Sequence, residues 1–238
     1  MKIEVWSDFV CPFCYIGKRR LENALKEFPH NEAITLEYKS YQLDPTAEYV
    51  EGENFYETFS NKKGMPIDQV KAMNEQVGQQ AAEIGLTYNF DEMKHANTFD
   101  AHRVAKYATE QGKGNEITER FLYAYFTESK LISDPTTLIE LADETGLNPE
   151  EVKQVLSGDK YSDQVRADID TARQIGVQGV PFFVFNEKYA VSGAQPPEVF
   201  SEVLEKVWEE ENEKPVLQSL DPEKSKTTYC TDEGCETK

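Results

Sequence analysis

The sequence predicts an α/β protein in which a large all-helical segment interrupts a small sheet-containing unit. Three observations support this fold class. The chain opens with a β-α-β pattern over about residues 2–39, continues with helical patterns between about 44 and 160, and returns to strand chemistry near residue 181. With 238 residues, the chain is longer than the usual single compact domain, which leaves room for an inserted segment.

The opening pattern consists of two strands around one helix. Apolar Ile3 and Val5 alternate with polar neighbours, which predicts the first strand. Apolar or small residues then recur every three or four positions and share one helical face: Cys14, Gly17, Leu21, Leu25 and Phe28. Pro12 suits the first turn of this helix, Pro29 ends it, and alternation over 34–39 predicts the second strand.

The segment from 44 to 160 carries helix patterns with local start and stop signals. One apolar stripe precedes Gly85 and consists of Val70, Met73, Val77, Ala81 and Ile84. Another precedes Gly112 and consists of Ala101, Val104, Ala105 and Ala108. Asn148 followed by Pro149 and Glu151 predicts the capped start of a further short helix. We therefore expect a helical insertion.

Strand chemistry returns at 181–185 and is followed by a turn at 186–187 and a second strand at 189–191, which predicts a hairpin. Pro196-Pro197 then opens an amphipathic helix. The predicted organisation is an α/β domain made of 1–43 and 161–210, a helical insertion domain of 44–160, and a flexible acidic tail of 211–238.

The charge balance excludes several classes of partner. Forty-four acidic and 25 basic side chains give a formal charge of −19 and a pI near 4.6, which disfavours nucleic acid and anionic membrane surfaces. The first residues do not have the pattern of an export signal, and no stretch approaches the ~18 apolar residues of a membrane span. We therefore expect a cytoplasmic protein, in which cysteines are redox-active, metal-binding or inert rather than structural bridges.

Cys11-Pro12-Phe13-Cys14 follows a predicted strand and occupies the first turn of a predicted helix. In this setting a C-x-x-C motif is typical of a redox pair. The helix N-terminus favours a thiolate at Cys11, which makes Cys11 the predicted nucleophile. Cys14 lies one turn further and is the predicted resolving thiol. A buried inert pair and half of a metal site are the alternatives.

Three segments resemble one known family. They are SDFVCPFCYIG at 7–17, NTFDAHR at 97–103 and GVPFFVF at 179–185. Together with the order of the elements, they resemble the DsbA-like branch of the thioredoxin superfamily, and more narrowly its FrnE subgroup, over about residues 1–210. This branch is related to the kappa-class glutathione transferases and the 2-hydroxychromene-2-carboxylate isomerases.

The resemblance implies a thioredoxin fold with a large inserted all-helical domain. It also implies a cis bond at Val180-Pro181 facing the cysteine pair, and it makes Val180, Pro181, Pro12 and Phe13 candidate substrate-binding residues. From the residues alone, an ordinary trans proline at a strand start is the expectation. The dipeptide between the cysteines differs from the Pro-His of exported DsbA, and these two residues tune redox strength.

The resemblance places the helix that carries His102 over the active-site cleft. His102 is therefore a candidate for contact with substrate or for stabilisation of the Cys11 thiolate, with a structural role as the alternative. Asn97 and Arg103 have the same two interpretations. Four aromatic residues of the insertion are expected in its core, with the lining of a peptide groove as the alternative: Phe121, Tyr123, Tyr125 and Phe126.

Cys230 and Cys235 form a second pair, separated by four residues, in the predicted tail. The resemblance implies a second redox couple there. A flexible spacer of about twenty residues spans roughly 25 Å, enough to reach Cys11. The alternatives are a zinc site of all four thiols and a tail without a function. Nothing in the sequence brings the two pairs together, so no metal is predicted.

The predicted function is a cytosolic thiol:disulfide oxidoreductase that acts on proteins or peptides and needs no cofactor. Glutathione is a further candidate partner. The alternatives are a glutathione-dependent isomerase or transferase of the kappa-class type and a non-enzymatic holdase. Enzymes of the kappa-class type resemble this chain around the first helix but have a serine near the position of Cys11.

Overall fold

The computed structural model describes residues 1–212 and the backbone of 228–231 and 234–237. The strands are β1 (Lys2–Ser7), β2 (Thr35–Ser40), β3 (Phe182–Phe185), β4 (Tyr189–Ser192), β5 (Thr228–Thr231) and β6 (Gly234–Thr237). The α-helices are α1 (Pro12–Glu27), α2 (Phe55–Lys63), α3 (Ile67–Ala82), α4 (Phe99–Glu110), α5 (Gly114–Phe126), α6 (Pro135–Glu144), α7 (Pro149–Ser157), α8 (Ser162–Gln174) and α9 (Pro197–Asn212).

The main sheet has the strand order β2-β1-β3-β4. β1 pairs in parallel with β2 and antiparallel with β3, and β4 returns antiparallel to β3. Asn186 and Glu187 have positive φ angles of 49° and 55°, the conformation that a tight hairpin turn requires between β3 and β4. The predicted β-α-β opening and the hairpin are confirmed.

Helices cover both faces of this sheet. On one face, α1 and α9 pack against side chains such as Ile3, Val5 and Phe183. On the other face, Ala172 of α8 packs against Trp6. Trp6 also donates its indole N–H to the backbone oxygen of Asp168 at 2.9 Å, which fixes α8 across the sheet.

The chain between β2 and β3 forms the helices α2–α8, here called the helical segment. Helices α2–α7 lie within the insertion predicted for 44–160, whereas α8 lies in the 161–210 part that was predicted to belong to the α/β domain. Its main core also includes Phe9, Tyr15 and Ile16, which flank or belong to the first turns of α1. The last helix of the segment, α8, contacts both β2 and α4. The helical segment and the cysteine motif therefore share one core.

Three of the four aromatic residues predicted for that core are buried: Phe121, Tyr125 and Phe126. The prediction was wrong for Tyr123, which is 42% exposed. Tyr123 lies on the outer face of α5, where the guanidinium of Arg120 covers its ring at 5.7 Å from the centroid.

The predicted flexible tail lies largely outside the described residues. Within the described part, α9 extends to Asn212, two residues beyond the predicted domain end. β5 and β6 pair antiparallel, and this register places Cys230 directly opposite Cys235.

Candidate active site

Both cysteines of the motif lie at the N-terminus of α1. Cys11 is the N-cap residue, with an extended backbone (φ −92°, ψ 112°), and Pro12 occupies the first turn. The Cys14 N–H donates to the Cys11 oxygen at 3.0 Å. Both residues are free cysteines, 4% and 2% exposed. The strand-to-helix turn therefore holds two thiols one turn apart, as predicted.

The two thiols have different environments. Burial raises the pKa of Cys14 well above its ordinary value, and a hydrogen bond to Cys11 and the charge of Cys11 raise it further. Bonds from the Ser7 hydroxyl and from the Asp8 backbone oppose this only in part. Cys14 is therefore the thiol that keeps its proton, whereas Cys11 lies at the positive end of the helix dipole. This difference suits a nucleophile at Cys11 and a resolving thiol at Cys14.

The segment before β3 faces the motif. The peptide bond between Val180 and Pro181 is cis, which confirms the prediction from the family resemblance. The Cys11 Sγ lies 3.5 Å from the Val180 oxygen, so the thiol donates to this carbonyl. Val180 is half-buried and Phe13 is 40% exposed. Two of the five residues predicted to contact substrate, Val180 and Phe13, thus lie at the surface beside Cys11, and Pro12, which precedes Phe13, is half-buried.

Pro181 itself is buried, and its ring lies close to α1. A Cβ atom on Gly17 would come within 2.9 Å of the Pro181 Cγ. Gly17 therefore permits the close approach of α1 to the segment that carries Val180.

His102 has the buried, hydrogen-bonded surroundings of its structural alternative. It is 4% exposed, and its Nε2 lies 2.9 Å from the Tyr41 oxygen and 3.3 Å from Asp8 Oδ1. Because both neighbours are acceptors, Nε2 carries the hydrogen. The Asp8 Oδ2 accepts the Leu43 N–H at 2.7 Å, and the Asp8 backbone oxygen accepts the Cys11 N–H at 3.1 Å. His102 thus braces the loop that precedes Cys11, and its burial argues against direct contact with substrate.

The structure gives Arg103 a structural position. Its guanidinium donates to the Lys160 oxygen at 2.9 Å, to the Gly158 oxygen at 2.5 Å, and to the Val155 oxygen. The Val155 and Gly158 oxygens lie at the C-terminal end of α7, where an α-helix leaves its carbonyl groups unpaired, and the Lys160 oxygen lies in the turn before α8.

Asn97 is also tied to neighbouring backbone and side chains. It accepts the Phe99 N–H at 3.0 Å and an N–H of Gln42 at 2.8 Å, and it donates to the Pro45 oxygen at 2.9 Å. These bonds join the start of α4 to the segment after β2.

Sequence reasoning missed Tyr88, which contacts the motif directly. Its hydroxyl donates to the Pro12 oxygen at 2.7 Å, although the two residues are 76 positions apart. Tyr88 belongs to the segment after α3, where local periodicity carries no sign of this contact.

A partly buried ion cluster between α1 and α5 was also missed. Lys18, only 3% exposed, donates to Glu119 at 2.5 Å and to Glu22 at 2.6 Å. Tyr15 donates to Glu119 at 2.6 Å. Lys18 follows Cys14 by four residues, so the cluster fastens α1 to α5 one turn beyond the motif.

No group of three or more His, Cys, Asp or Glu side chains in the described part of the chain is arranged to hold a metal ion. Among the helices of that same part, none is long and apolar enough to cross a membrane.

Known proteins share this fold. A family model described as the DSBA-like thioredoxin domain matches residues 2–205. A probable DsbA oxidoreductase from Streptomyces coelicolor is 37% identical and superposes with a TM-score of 0.83, and the match covers 99% of this chain and 98% of that chain.

Two further structures share the fold at lower identity. A 2-hydroxychromene-2-carboxylate isomerase is 13% identical, with a TM-score of 0.66 and coverage of 89% of this chain and 98% of that chain. The cytosolic disulfide reductase DsbM from Pseudomonas aeruginosa, determined with GSH, is 17% identical, with a TM-score of 0.61 and coverage of 87% and 98%. The matched family model and the 37% identity over nearly the whole length assign the family: this chain belongs to the DSBA-like thioredoxin-domain proteins, a family of DsbA-like oxidoreductases.

Proposed function

We propose that this protein is a cytosolic thiol:disulfide oxidoreductase that exchanges disulfides with protein substrates through Cys11 and Cys14. The observation that carries the proposal is the arrangement of these two thiols: Cys11 caps α1, with its Sγ 3.5 Å from the Val180 oxygen, and Cys14 lies buried one turn behind it. Closer assignment to the FrnE subgroup remains a prediction from the sequence motifs.

The chemistry needs two displacement steps at sulfur. As a reductant, the Cys11 thiolate attacks one sulfur of a substrate disulfide, forms a mixed disulfide and releases the first substrate thiolate. Cys14 then loses its proton to solvent and attacks Cys11 Sγ, which closes the Cys11–Cys14 disulfide and releases the second substrate thiolate. As an oxidant, the protein runs the same steps in reverse. Thiols carry all the electrons, so the proposal includes no cofactor and no metal.

Burial of Cys14 supports this division of roles. A resolving thiol that stays protonated does not compete with Cys11 for the incoming disulfide. Once the mixed disulfide forms, Cys14 is already one helical turn from its target sulfur, and this proximity makes the second step effectively unimolecular.

The surface beside Cys11 supports an extended peptide as the substrate. Val180 is half-buried at the end of the segment that leads into β3, and its oxygen already accepts a hydrogen bond from the Cys11 thiol. A backbone N–H of a bound peptide replaces that donor once Cys11 is in a mixed disulfide. Phe13, 40% exposed, adds an apolar contact that does not depend on the substrate sequence.

Cys230 and Cys235 are proposed as a second redox pair that exchanges with Cys11 and Cys14. The register of β5 and β6 supports this, because directly opposite residues of an antiparallel pair have Cα atoms about 4.5 to 5.5 Å apart, within the range that a disulfide needs. The spacing thus favours a disulfide between Cys230 and Cys235. In the proposed relay, this disulfide is then transferred to the Cys11 and Cys14 pair by thiol–disulfide exchange.

The decisive experiment is a transfer assay with a reduced two-cysteine peptide. Oxidised wild-type protein should oxidise the peptide, and Cys11→Ser should lose this activity while keeping its thermal stability. Cys230→Ser/Cys235→Ser should keep single-turnover transfer and lose turnover driven by an external oxidant. Equal transfer by wild type and Cys11→Ser would refute the main proposal, and unchanged turnover of the double variant would refute the relay.

The same assay separates the alternatives. An isomerase or transferase of the kappa-class type would bind glutathione and show negligible disulfide transfer by wild type. A holdase would bind unfolded chains equally well after Cys11→Ser.

A further inference from the structure

Tyr88 reaches the cysteine motif from the helical segment. Its hydroxyl donates to the Pro12 oxygen at 2.7 Å. Its ring is held by three aromatic neighbours: it stacks on Phe126 at a centroid distance of 4.6 Å and on Tyr15 at 6.1 Å, and Phe90 meets it edge-on at 5.5 Å. The packed ring therefore presents its hydroxyl in one fixed direction.

The Pro12 oxygen belongs to the Pro12–Phe13 peptide unit, the middle one of the three between the two cysteines. A trans peptide unit is planar, so its C=O and the N–H of the next residue point in opposite directions. Holding the Pro12 oxygen therefore also orients the Phe13 N–H. This N–H lies in the first turn of α1, where an α-helix leaves its N–H groups without an intrahelical partner.

The Phe13 N–H matters when Cys11 ionises. As a thiol, Cys11 donates to the Val180 oxygen. As a thiolate it becomes an acceptor, and the N–H groups of the first turn are the donors that an N-cap residue can reach. Donation by Tyr88 to the Pro12 oxygen polarises the same peptide unit and makes its N–H a stronger donor.

Tyr88 stays protonated throughout this cycle. Burial raises the pKa of its hydroxyl, and the charge of Cys11 raises it further. The hydroxyl therefore remains a hydrogen-bond donor, and ionisation of Tyr88 does not compete with ionisation of Cys11.

We propose that Tyr88 is a positioning residue of the redox pair: by holding the Pro12 oxygen, it directs the Phe13 N–H toward the Cys11 thiolate and so stabilises the reduced pair relative to the disulfide. This inference rests on the proposed function. The affected equilibrium is the uptake of two electrons and one proton by the Cys11–Cys14 disulfide, which gives the Cys11 thiolate and the Cys14 thiol. A pair whose reduced form is stabilised is a stronger oxidant.

The test compares Tyr88→Phe with the matched control Tyr56→Phe. Tyr56 also lies in the helical segment, but it donates its hydroxyl to Asp91 Oδ1 at 2.9 Å rather than to the cysteine motif. Each protein is equilibrated with reduced and oxidised glutathione, and the fraction of Cys11–Cys14 disulfide is measured. The rate of alkylation of Cys11 is also measured against pH.

Tyr88→Phe should favour the disulfide by roughly threefold to tenfold, the value of one hydrogen bond. This change corresponds to about 15 to 30 mV in reduction potential. The rise in its alkylation rate should move to higher pH, while Tyr56→Phe should stay within about twofold of wild type in both measurements. Identical equilibria and pH profiles for the two variants would overturn the proposal.

A second substitution protects the test against misfolding. Replacement of Tyr88 by 3-fluorotyrosine keeps the ring and makes the hydroxyl a stronger donor, so both measurements should move in the direction opposite to Tyr88→Phe. A shift in the same direction as Tyr88→Phe would also refute the proposal. Because both readouts use the cysteine pair without a protein substrate, they stay informative even if the peptide-transfer experiment fails.

Discussion

Gly17→Ala tests whether contact between α1 and the segment before β3 sets the geometry at Cys11. A Cβ on Gly17 would lie 2.9 Å from the Pro181 Cγ and 3.1 Å from the Phe183 Cζ. Phe183 is fully buried in the sheet core, and the proline ring has little freedom to move. The methyl group therefore forces α1 and the Val180 segment apart.

The expected change in stability combines two opposing terms. Alanine in a helix gains about 0.5 to 1 kcal/mol over glycine, because the unfolded chain loses less backbone freedom on folding. Overpacking of a filled core costs about 1 to 3 kcal/mol. With two close contacts, the cost should dominate, and we expect a net loss of about 1 to 2 kcal/mol in the free energy of unfolding.

The assay is urea unfolding of Gly17→Ala beside the control Gly78→Ala. Gly78 also lies within a helix, α3, but a Cβ there meets its nearest neighbour, a Phe90 ring carbon, at an ordinary 3.7 Å. The control should therefore gain about 0.5 to 1 kcal/mol. Peptide transfer should fall in Gly17→Ala only, since Val180 moves away from Cys11. Equal stabilisation of both variants would show that the contact at Gly17 is not limiting.

Two further predictions concern polar residues beside the motif. Burial acts to raise the pKa of Glu119, but the charge and hydrogen bond of Lys18, the hydrogen bond of Tyr15 and the charge of Arg19 together outweigh it, so the pKa is lowered from its ordinary value of 4.5. A carboxylate with a lowered folded-state pKa stabilises the fold above its unfolded pKa and loses this contribution as the pH falls through the folded value. Glu119→Gln should therefore have a lower urea midpoint than wild type at pH 7 and a smaller further loss below about pH 4.5; parallel losses on acidification would contradict this. His102→Ala removes the bonds to Tyr41 and Asp8, so it should cost about 1 to 3 kcal/mol in urea unfolding while the pH profile of Cys11 alkylation stays like that of wild type. A profile shifted as far as that of Tyr88→Phe would instead assign His102 to the thiolate.

Local sequence signals were sufficient to predict the elements that carry the cysteines. Pro12 follows a strand and marks the start of α1, and Pro29 marks its end. Proline is a local signal because it fixes φ and lacks an N–H at its own position. The alternation before residue 41 and the aromatic strand after Pro181 likewise gave β1, β2 and β3.

Contacts between segments that are distant in the sequence could not be predicted from such local signals. Tyr88 meets Pro12 across 76 residues, and Lys18 meets Glu119 across 101. Periodicity identifies the apolar stripe of each helix but not the polar partner that arrives from another segment. His102 shows the same limit: its position on α4 was predicted, whereas its acceptors come from the segments that follow β1 and β2.

The core that Phe9, Tyr15 and Ile16 share with the helical segment makes that segment part of the catalytic scaffold. Tyr15 is 1% exposed and Ile16 is fully buried. Deleting the chain between β2 and α8 would leave these side chains facing water on the helix that bears Cys14, at a cost of about 1.5 to 3 kcal/mol for each large side chain. A minimal redox domain therefore cannot be obtained from this protein by excision alone, and a smaller version would first need a redesigned polar face on α1.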